Sequence, residues 1–267
     1  MKKIFLIAEI GINHNGSLKK AIKLIDAAIK AGVSAVKFQT YKTELRVKKE
    51  SPIFKILKKC ELSNEDFFIL KKYCDKKKII FFSTPFDIKS VDFLEKIKVK
   101  LYKVSSFDIS NFQLINRVLL TKKPIIFSTG MASLKEIKKI HNVCKIKKNS
   151  HALLHCISSY PTKEKDSLLG NVKFLKDNFN CKIGLSDHTN DIQTSIYSAI
   201  LGAQIIEKHF KLSSNDNCVD APVSITPNQM KLLKDKLDLI DHIIDLPKFG
   251  IRKTEKNATQ FKRKKIL

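Results

Sequence analysis

Two histidines pose the first chemical question. Gly184-Leu185-Ser186-Asp187-His188-Thr189 and, further on, Glu207-Lys208-His209 each stand where a short apolar run turns polar, with a helix-like segment, Ile192 to Leu201, between them. In a strand-helix-strand unit the two strands run parallel, so both polar ends emerge at one edge. His188 and His209 then reach one point, and strand alternation sets Ser186 beside His188 and Glu207 beside His209. Two imidazoles suit manganese, iron, zinc or a similar divalent metal. Coordination positions left to water or substrate are what a carbonyl-polarising site needs. The competing reading is two unrelated histidines, one of them a core group.

Lys37 and Lys103 lie inside apolar strand-like runs, where a solvated lysine is unexpected. Beside Ser and Thr hydroxyls they suit a phosphate together with a carboxylate. Lys103 could instead form a Schiff base. Glu9 and Glu207 end the first and last strand-like runs, which are neighbours in a closed barrel; either is a candidate acid or base. The plainer alternative for such a carboxylate is an ion pair with Lys208 or another lysine. His14 and His155 are weaker candidates, His155 being equally a core residue, and Cys156 and Cys181 read as small core residues.

The elements that must carry these groups alternate throughout. Short apolar runs at 4–8, 34–38, 79–83, 101–104, 124–128, 151–156, 182–186 and 204–207 are separated by segments of helical period. Those segments span 17–31, 64–77, 88–97, 111–121, 133–146, 168–179, 190–201 and 227–244. Eight strand-helix units predict an α/β fold, a single-domain (β/α)8 TIM barrel, whose active site lies at the carboxyl ends of the strands. Ser17, Ser63 and Ser133 fit helix N-caps, and Gly32 and Gly202 fit helix stops. A doubly wound sheet would show a glycine-rich fingerprint after the first strand, and Gly11-x4-Gly16 is not one.

The formal charge is +25, but only four of the 51 basic residues are arginine. Arginine forks read base edges, and no basic stripe interleaved with aromatics occurs, so specific nucleic-acid binding is not expected. The basic surface should draw in anionic small molecules. No apolar run has the ~18 residues of a membrane span, and the N-terminus has no signal-peptide pattern, which together read as a cytoplasmic chain. The six cysteines are scattered without a C-x-x-C pair, outside the usual zinc spacings and consistent with free thiols.

Taken in order, A-E-I-G-I-N-H-N-G, K-F-Q-T, S-T-P-F, Y-K-V-S-S-F, S-T-G-M, L-L-H-C-I-S-S-Y-P-T, G-L-S-D-H-T and I-E-K-H-F resemble the sialic acid synthase family, the N-acetylneuraminate synthases and their relatives. The Y-K-V-S-S-F and C-I-S-S-Y-P-T forms look closest to its pseudaminic acid and spore-coat polysaccharide branch. The resemblance implies a transferase that condenses phosphoenolpyruvate with an N-acetylated amino-hexose, giving a nonulosonic acid and phosphate. It implies a divalent metal, Mn2+ before Mg2+ or Co2+, held by His188 and His209. Lys37, Thr84, Lys103, Ser106, Ser128, Ser158 and Ser186 match positions that hold phosphoenolpyruvate. Gln39, Tyr160, Glu207 and Asp220 match sugar-side positions, and Glu9 a carboxylate that handles protons.

Family members usually continue into a small antifreeze-like domain that lends an arginine to a partner's site. Residues 1–250 are expected to form the barrel, and 251–267 a basic tail corresponding to the start of that connection. A homodimer, or a separate antifreeze-like partner protein, is then expected. The loop from Tyr41 to Cys60 is shorter than is common, and Val219 stands where proline is frequent.

Overall fold

Eight parallel strands close on themselves in sequence order in the computed structural model, which describes residues 3–244 and 249–263. They are β1 (Phe5–Gly11), β2 (Ala35–Thr40), β3 (Ile80–Pro85), β4 (Tyr102–Val104), β5 (Ile125–Ser128), β6 (His151–Cys156), β7 (Lys182–Asp187) and β8 (Ile205–His209). The helices are α1 (Leu18–Lys30), α2 (Thr43–Arg46), α3 (Phe54–Cys60), α4 (Asn64–Lys76), α5 (Ile88–Lys96), α6 (Phe112–Leu120), α7 (Leu134–Ile146), α8 (Gly170–Asn178), α9 (Gln193–Ile200) and α10 (Pro227–Ile243). This is the (β/α)8 barrel expected from the alternation.

Local chemistry sets the boundaries. The Ser17 side chain caps α1 by accepting from the Lys20 amide, and Ser63 with Asp66 and Ser133 with Glu136 form capping boxes on α4 and α7. Gly32 and Gly202 turn the chain with φ of +81° and +103°. Pro227 occupies the first turn of α10, where its missing N–H costs nothing. The segment from Tyr41 to Cys60 departs from a plain loop. It folds α2 and α3 over a small cluster of Ile12, Tyr41, Leu57 and Cys60, because Leu57 and Cys60 face one side of α3. Beyond α10, residues Lys253–Phe261 form a 3-10 helix; the last residues of the expected tail, 264–267, lie outside the described residues. Among the described residues no helix is long and apolar enough to cross a membrane.

Strand alternation divides the interior into two layers. Outward-facing Leu6, Ala8, Ile10, Val36, Phe38 and Ile206 pack against the helices in the main core. Inward-facing Ile7, Ala35, Phe82, Ile126, Leu154 and Ile205 fill the lower lumen. One step of two residues up each strand, the same inward face carries Glu9 on β1, Lys37 on β2, Ser128 on β5, Cys156 on β6 and Glu207 on β8. An apolar plug therefore forms the floor on which a ring of polar groups stands.

Candidate active site

Register places the polar groups side by side. Glu9 is paired across the sheet with both Lys37 and His209, Ser186 with Glu207, Cys156 with Ser186, and Gln39 with Thr84. The β1–β2 register shifts between Glu9 and Gly11, and Gly11 takes φ +52°. A side chain there would lie 3.0 Å from Glu9 Oε1 and 3.2 Å from the Gln39 amide nitrogen, so glycine is what lets these groups meet. The resulting pocket is lined by Glu9, Lys37, Gln39, Thr84, Lys103, Ser106, Ser128, Tyr160, Ser186, His188, Glu207, His209 and Asp220. Ser158 adjoins it, across Gly130 from Ser106. The fourteen residues assigned to the site from the sequence thus converge on one rim, whereas the weaker candidates His14 and His155 do not.

At its centre is an alternating chain of charges. Lys37 Nζ lies 2.8 Å from Glu9 Oε2 and 3.7 Å from Glu207 Oε2, and Lys103 Nζ lies 3.4 Å from Glu207 Oε1. Thr84 and Ser128 hydroxyls sit 3.1 and 2.6 Å from the Lys37 and Lys103 ammonium groups, and Ser186 donates to Glu207 at 2.9 Å. The partners of Glu207 are these two lysines; Lys208 points to the other face of the strand. All four ions are at most 3% exposed.

Burial works against every charge here, and the neighbours decide the outcome. Burial would raise the Glu207 carboxyl, yet Lys103 and Lys37 hold it at about 2. For Glu9 burial dominates, and the nearby Glu207 charge adds to it, so its carboxyl stays raised despite Lys37. Lys37 overcomes burial through Glu207 and Glu9 and is raised, whereas burial lowers Lys103. Two adjacent carboxylates are driven apart, one fixed as an anion and one readied to take a proton.

Beside the lysines is a hydroxyl cradle. Ser106 Oγ accepts from the Gly130 amide at 3.1 Å and lies beside the Cys156 thiol, and the buried Ser158 hydroxyl has no protein partner. Opposite stand the two imidazoles, with ring centroids 5.4 Å apart; Tyr160 stacks on His188 at 4.1 Å and meets His209 edge-on at 5.9 Å. His188 Nδ1 is 2.7 Å from the Ile157 carbonyl oxygen, which can only accept, so the proton sits on Nδ1 and Nε2 presents a lone pair towards the Tyr160 hydroxyl at 3.0 Å. His209 Nδ1 is buried without a well-formed hydrogen bond, 3.3 Å from Asp220 Oδ2. A bare nitrogen on one ring and an orphaned one on the other fit a shared divalent cation.

Several contributors escaped the sequence reading. Lys208 is fully buried on the outer face of β8, 3.2 Å from Asp187 and 2.6 Å from the Thr189 carbonyl oxygen, and Ser195 donates to Asp187 at 2.6 Å. This outer ion pair clamps the residues on either side of His188. Asn13 accepts from the Asp220 amide and donates to the Phe210 carbonyl and Ser224, fixing the loop that brings Asp220 in. Arg46, from α2, lies over the Phe86 ring at 3.6 Å, donates to Gln39 at 3.0 Å and lines the pocket. Cys156 is buried as expected of a core residue, but it also lines the pocket, 3.7 Å from His188 Nδ1. Burial alone would push its thiol up; His188, Ser106 and Lys103 hold it below the usual value. The alternation Asp187-His188 and Glu207-Lys208 carried the signal for the clamp, since inward and outward charges must pair separately. His155 Nε2 donates to the Ser167 carbonyl oxygen at 2.7 Å, within the barrel wall. His14 packs on Phe38; neither ring lines the pocket.

The NeuB family model matches residues 24–245. The chain belongs to the NeuB family. It is 36% identical to the N,N'-diacetyllegionaminic acid synthase of Campylobacter jejuni, over 96% of this chain and 81% of that one. It is 34% identical to the pseudaminic acid synthase of the same organism, over 88% and 73%. The crystal structure of N-acetylneuraminic acid synthetase from Leptospira borgpetersenii, in complex with citrate, superposes with a TM-score of 0.92 at 34% identity, covering 97% of this chain and 91% of that one. These NeuB-family relatives are named acid synthases, and the present chain is an enzyme of that synthase type. The identities do not single out the pseudaminic and spore-coat branch that two motifs had favoured.

Proposed function

We propose that this NeuB-family barrel condenses phosphoenolpyruvate with an N-acetylated amino-hexose, either N-acetylmannosamine or a 2,4-diacetamido-dideoxyhexose, to give a nonulosonic acid and phosphate. The observation that carries the reading is the juxtaposition of two buried lysines with the Ser106 hydroxyl and the buried, unpartnered Ser158 hydroxyl around Gly130. Buried donors with no protein acceptor await an anion. Lys37, Lys103, Thr84, Ser106, Ser128, Ser158 and Ser186 bind the phosphate and carboxylate, leaving the enol carbon pointing to the open rim. Gln39, Tyr160 and Asp220 orient the acceptor.

A divalent cation, Mn2+ or alternatively Mg2+ or Co2+, would be held by His188 and His209 and would supply the charge that polarises the acceptor aldehyde. The enol carbon bonds to the aldehyde carbon, whose oxygen takes a proton; water adds at C2, its proton leaves, and the C2–O bond to phosphate breaks. Glu9, the carboxyl with the raised affinity for a proton, handles those transfers at Oε1 or Oε2. Glu207 stays ionised and holds the two ammonium groups in place.

Electrostatics explains why the partners should arrive together. Within the pocket Lys37, Lys103 and Arg46 are offset by Glu9, Glu207 and Asp220. A phosphate that is mostly dianionic at neutral pH would leave a buried excess of negative charge unless a cation or a proton on Glu9 enters with it. Residues 1–250 then constitute the catalytic barrel and 251–267 a connecting tail.

The decisive assay incubates the protein with phosphoenolpyruvate, each of the three metals and a panel of N-acetylated hexoses, and reads product mass and phosphate. A nine-carbon 2-keto acid formed in step with phosphate supports the reading. Absence of any such product across the panel, with metal shown to be bound, would leave a non-catalytic barrel acting with a separate partner protein.

A further inference from the structure

At the opposite mouth of the barrel, a second group of metal-ligating side chains comes together. His141 from α7, His151 at the start of β6 and Cys181 just before β7 each offer one ligand atom, all within 4.8 Å of one another. Among the described residues this is the sole set of three or more such side chains that close together. It lies far from the catalytic rim: β6 runs from His151 to Cys156, a rise of roughly 17 Å at ~3.3 Å per residue. We propose that His141, His151 and Cys181 form a three-ligand site for a zinc ion, separate from the His188–His209 pair.

Ring tautomers favour this. His151 Nδ1 lies 3.3 Å from the Asn149 carbonyl oxygen, an acceptor, so that contact requires the proton on Nδ1. Nε2 of His151 is left bare, and it faces His141 Nδ1 at 2.8 Å. A single proton shared between two ring nitrogens is the arrangement that a metal ion replaces. A carbonyl that orients the far nitrogen of a histidine is the outer-shell partner such ligands ordinarily have. Tetrahedral zinc with Zn–N near 2.0–2.1 Å needs nitrogens about 3.3 Å apart, so the rings must part by roughly half an ångström. The Cys181 sulfur completes three ligands, with solvent in the fourth position.

Access and environment agree. His141 is buried and packed edge-on against Phe179, while His151 and Cys181 are partly exposed. His151 also lines a cavity at the lower mouth, which offers an entry path. The three ligands come from α7 and the starts of the adjacent strands β6 and β7, so an ion there would tie these elements together on the barrel face associated with stability.

The test uses the full chain stripped with chelator, reloaded with zinc and desalted, in wild type, His188→Ala/His209→Ala, Cys181→Ser and His151→Asn forms. Metal content is measured, Co2+ replaces zinc for absorption spectra, and zinc protection of Cys181 against alkylation is mapped by mass spectrometry. The proposal expects the catalytic double variant to retain one zinc and to show a thiolate-to-cobalt charge-transfer band. Cys181→Ser and His151→Asn should lose that equivalent and the band, and also the zinc-dependent rise in melting temperature. Protection of Cys181 in wild type needs no variant and covers the case in which a substitution unfolds the chain. The proposal is overturned if Cys181 alkylates equally fast with and without zinc, or if the band persists in Cys181→Ser.

Discussion

Replacing Gly130 by alanine should damage anion binding without unfolding the barrel. The added carbon would stand 2.8 Å from Ser106 Oγ, well inside van der Waals contact of Ser158 Oγ, and 3.2 Å from the Cys156 carbonyl oxygen. Ordinary contact begins near 3.4 Å, so the Ser106 hydroxyl must retreat by about 0.6 Å and that of Ser158 by more. The backbone carbonyl needs to give only a few tenths. Hydroxyls escape by leaving their preferred rotamers, at a cost of order 1 kcal/mol, which a folded domain tolerates. Each donor withdrawn from a charged ligand loses about 1.5–3 kcal/mol, or roughly a 10- to 150-fold weaker affinity at ~1.4 kcal/mol per decade. Titration calorimetry with phosphoenolpyruvate, alongside circular dichroism and melting curves, reads both quantities. Unchanged phosphoenolpyruvate affinity in a folded Gly130→Ala protein would refute the assignment of Ser106 and Ser158 to the anion.

Lys37→Met should lose about 3–5 kcal/mol in urea unfolding at neutral pH, because the 2.8 Å partner Glu9 is left as a buried unpaired charge; Lys37→Met/Glu9→Gln should recover much of that, and a double variant no better than the single would count against the pair. His209→Ala should abolish metal-dependent turnover and leave the melting temperature near wild type; wild-type turnover would remove His209 as a ligand. His14, held neutral by burial with its pKa lowered from 6.5 to about 4, makes folding less favourable as pH falls. Below 6.5 the unfolded chain takes a proton that the folded ring refuses, so about 3 kcal/mol is lost by pH 4; unfolding measured across that range in His14→Gln should show a correspondingly shallower slope.

The barrel and its rim were legible because alternation is a one-dimensional signal. Period-2 apolar runs gave the strands, and the fourteen polar residues named from strand ends and from the family resemblance all reach one pocket or its edge. Three kinds of feature were not legible. The short helices α2 and α3 lack a full amphipathic period, so the sequence from Tyr41 to Cys60 read as loop and the approach of Arg46 to Gln39 went unseen. Lys208 read as a possible partner of Glu9 or Glu207, although its place one residue out of phase with His209, like that of Asp187 beside His188, implies an outward pair with Asp187. The grouping of His141, His151 and Cys181 depends on how α7 returns to β6 and how β7 starts beside it, which no local spacing encodes.

What unites the pocket is the apolar floor beneath it. Phe82, Ile126, Leu154 and Ile205 close the lumen directly below the charged ring, so the ions above must satisfy one another or a ligand. Each ammonium therefore sits between a carboxylate and a hydroxyl: Lys37 between Glu9 and Thr84, Lys103 between Glu207 and Ser128. An entering anion can take over the hydroxyl contacts without stripping the lysines of their countercharges, and the raised Glu9 carboxyl can accept a proton as negative charge accumulates. The outward Lys208–Asp187 pair meets the same need on the other side of the sheet, where its burial fixes the backbone that presents His188. Charge balance on both faces of β7 and β8 thus sets the geometry from which the chemistry follows.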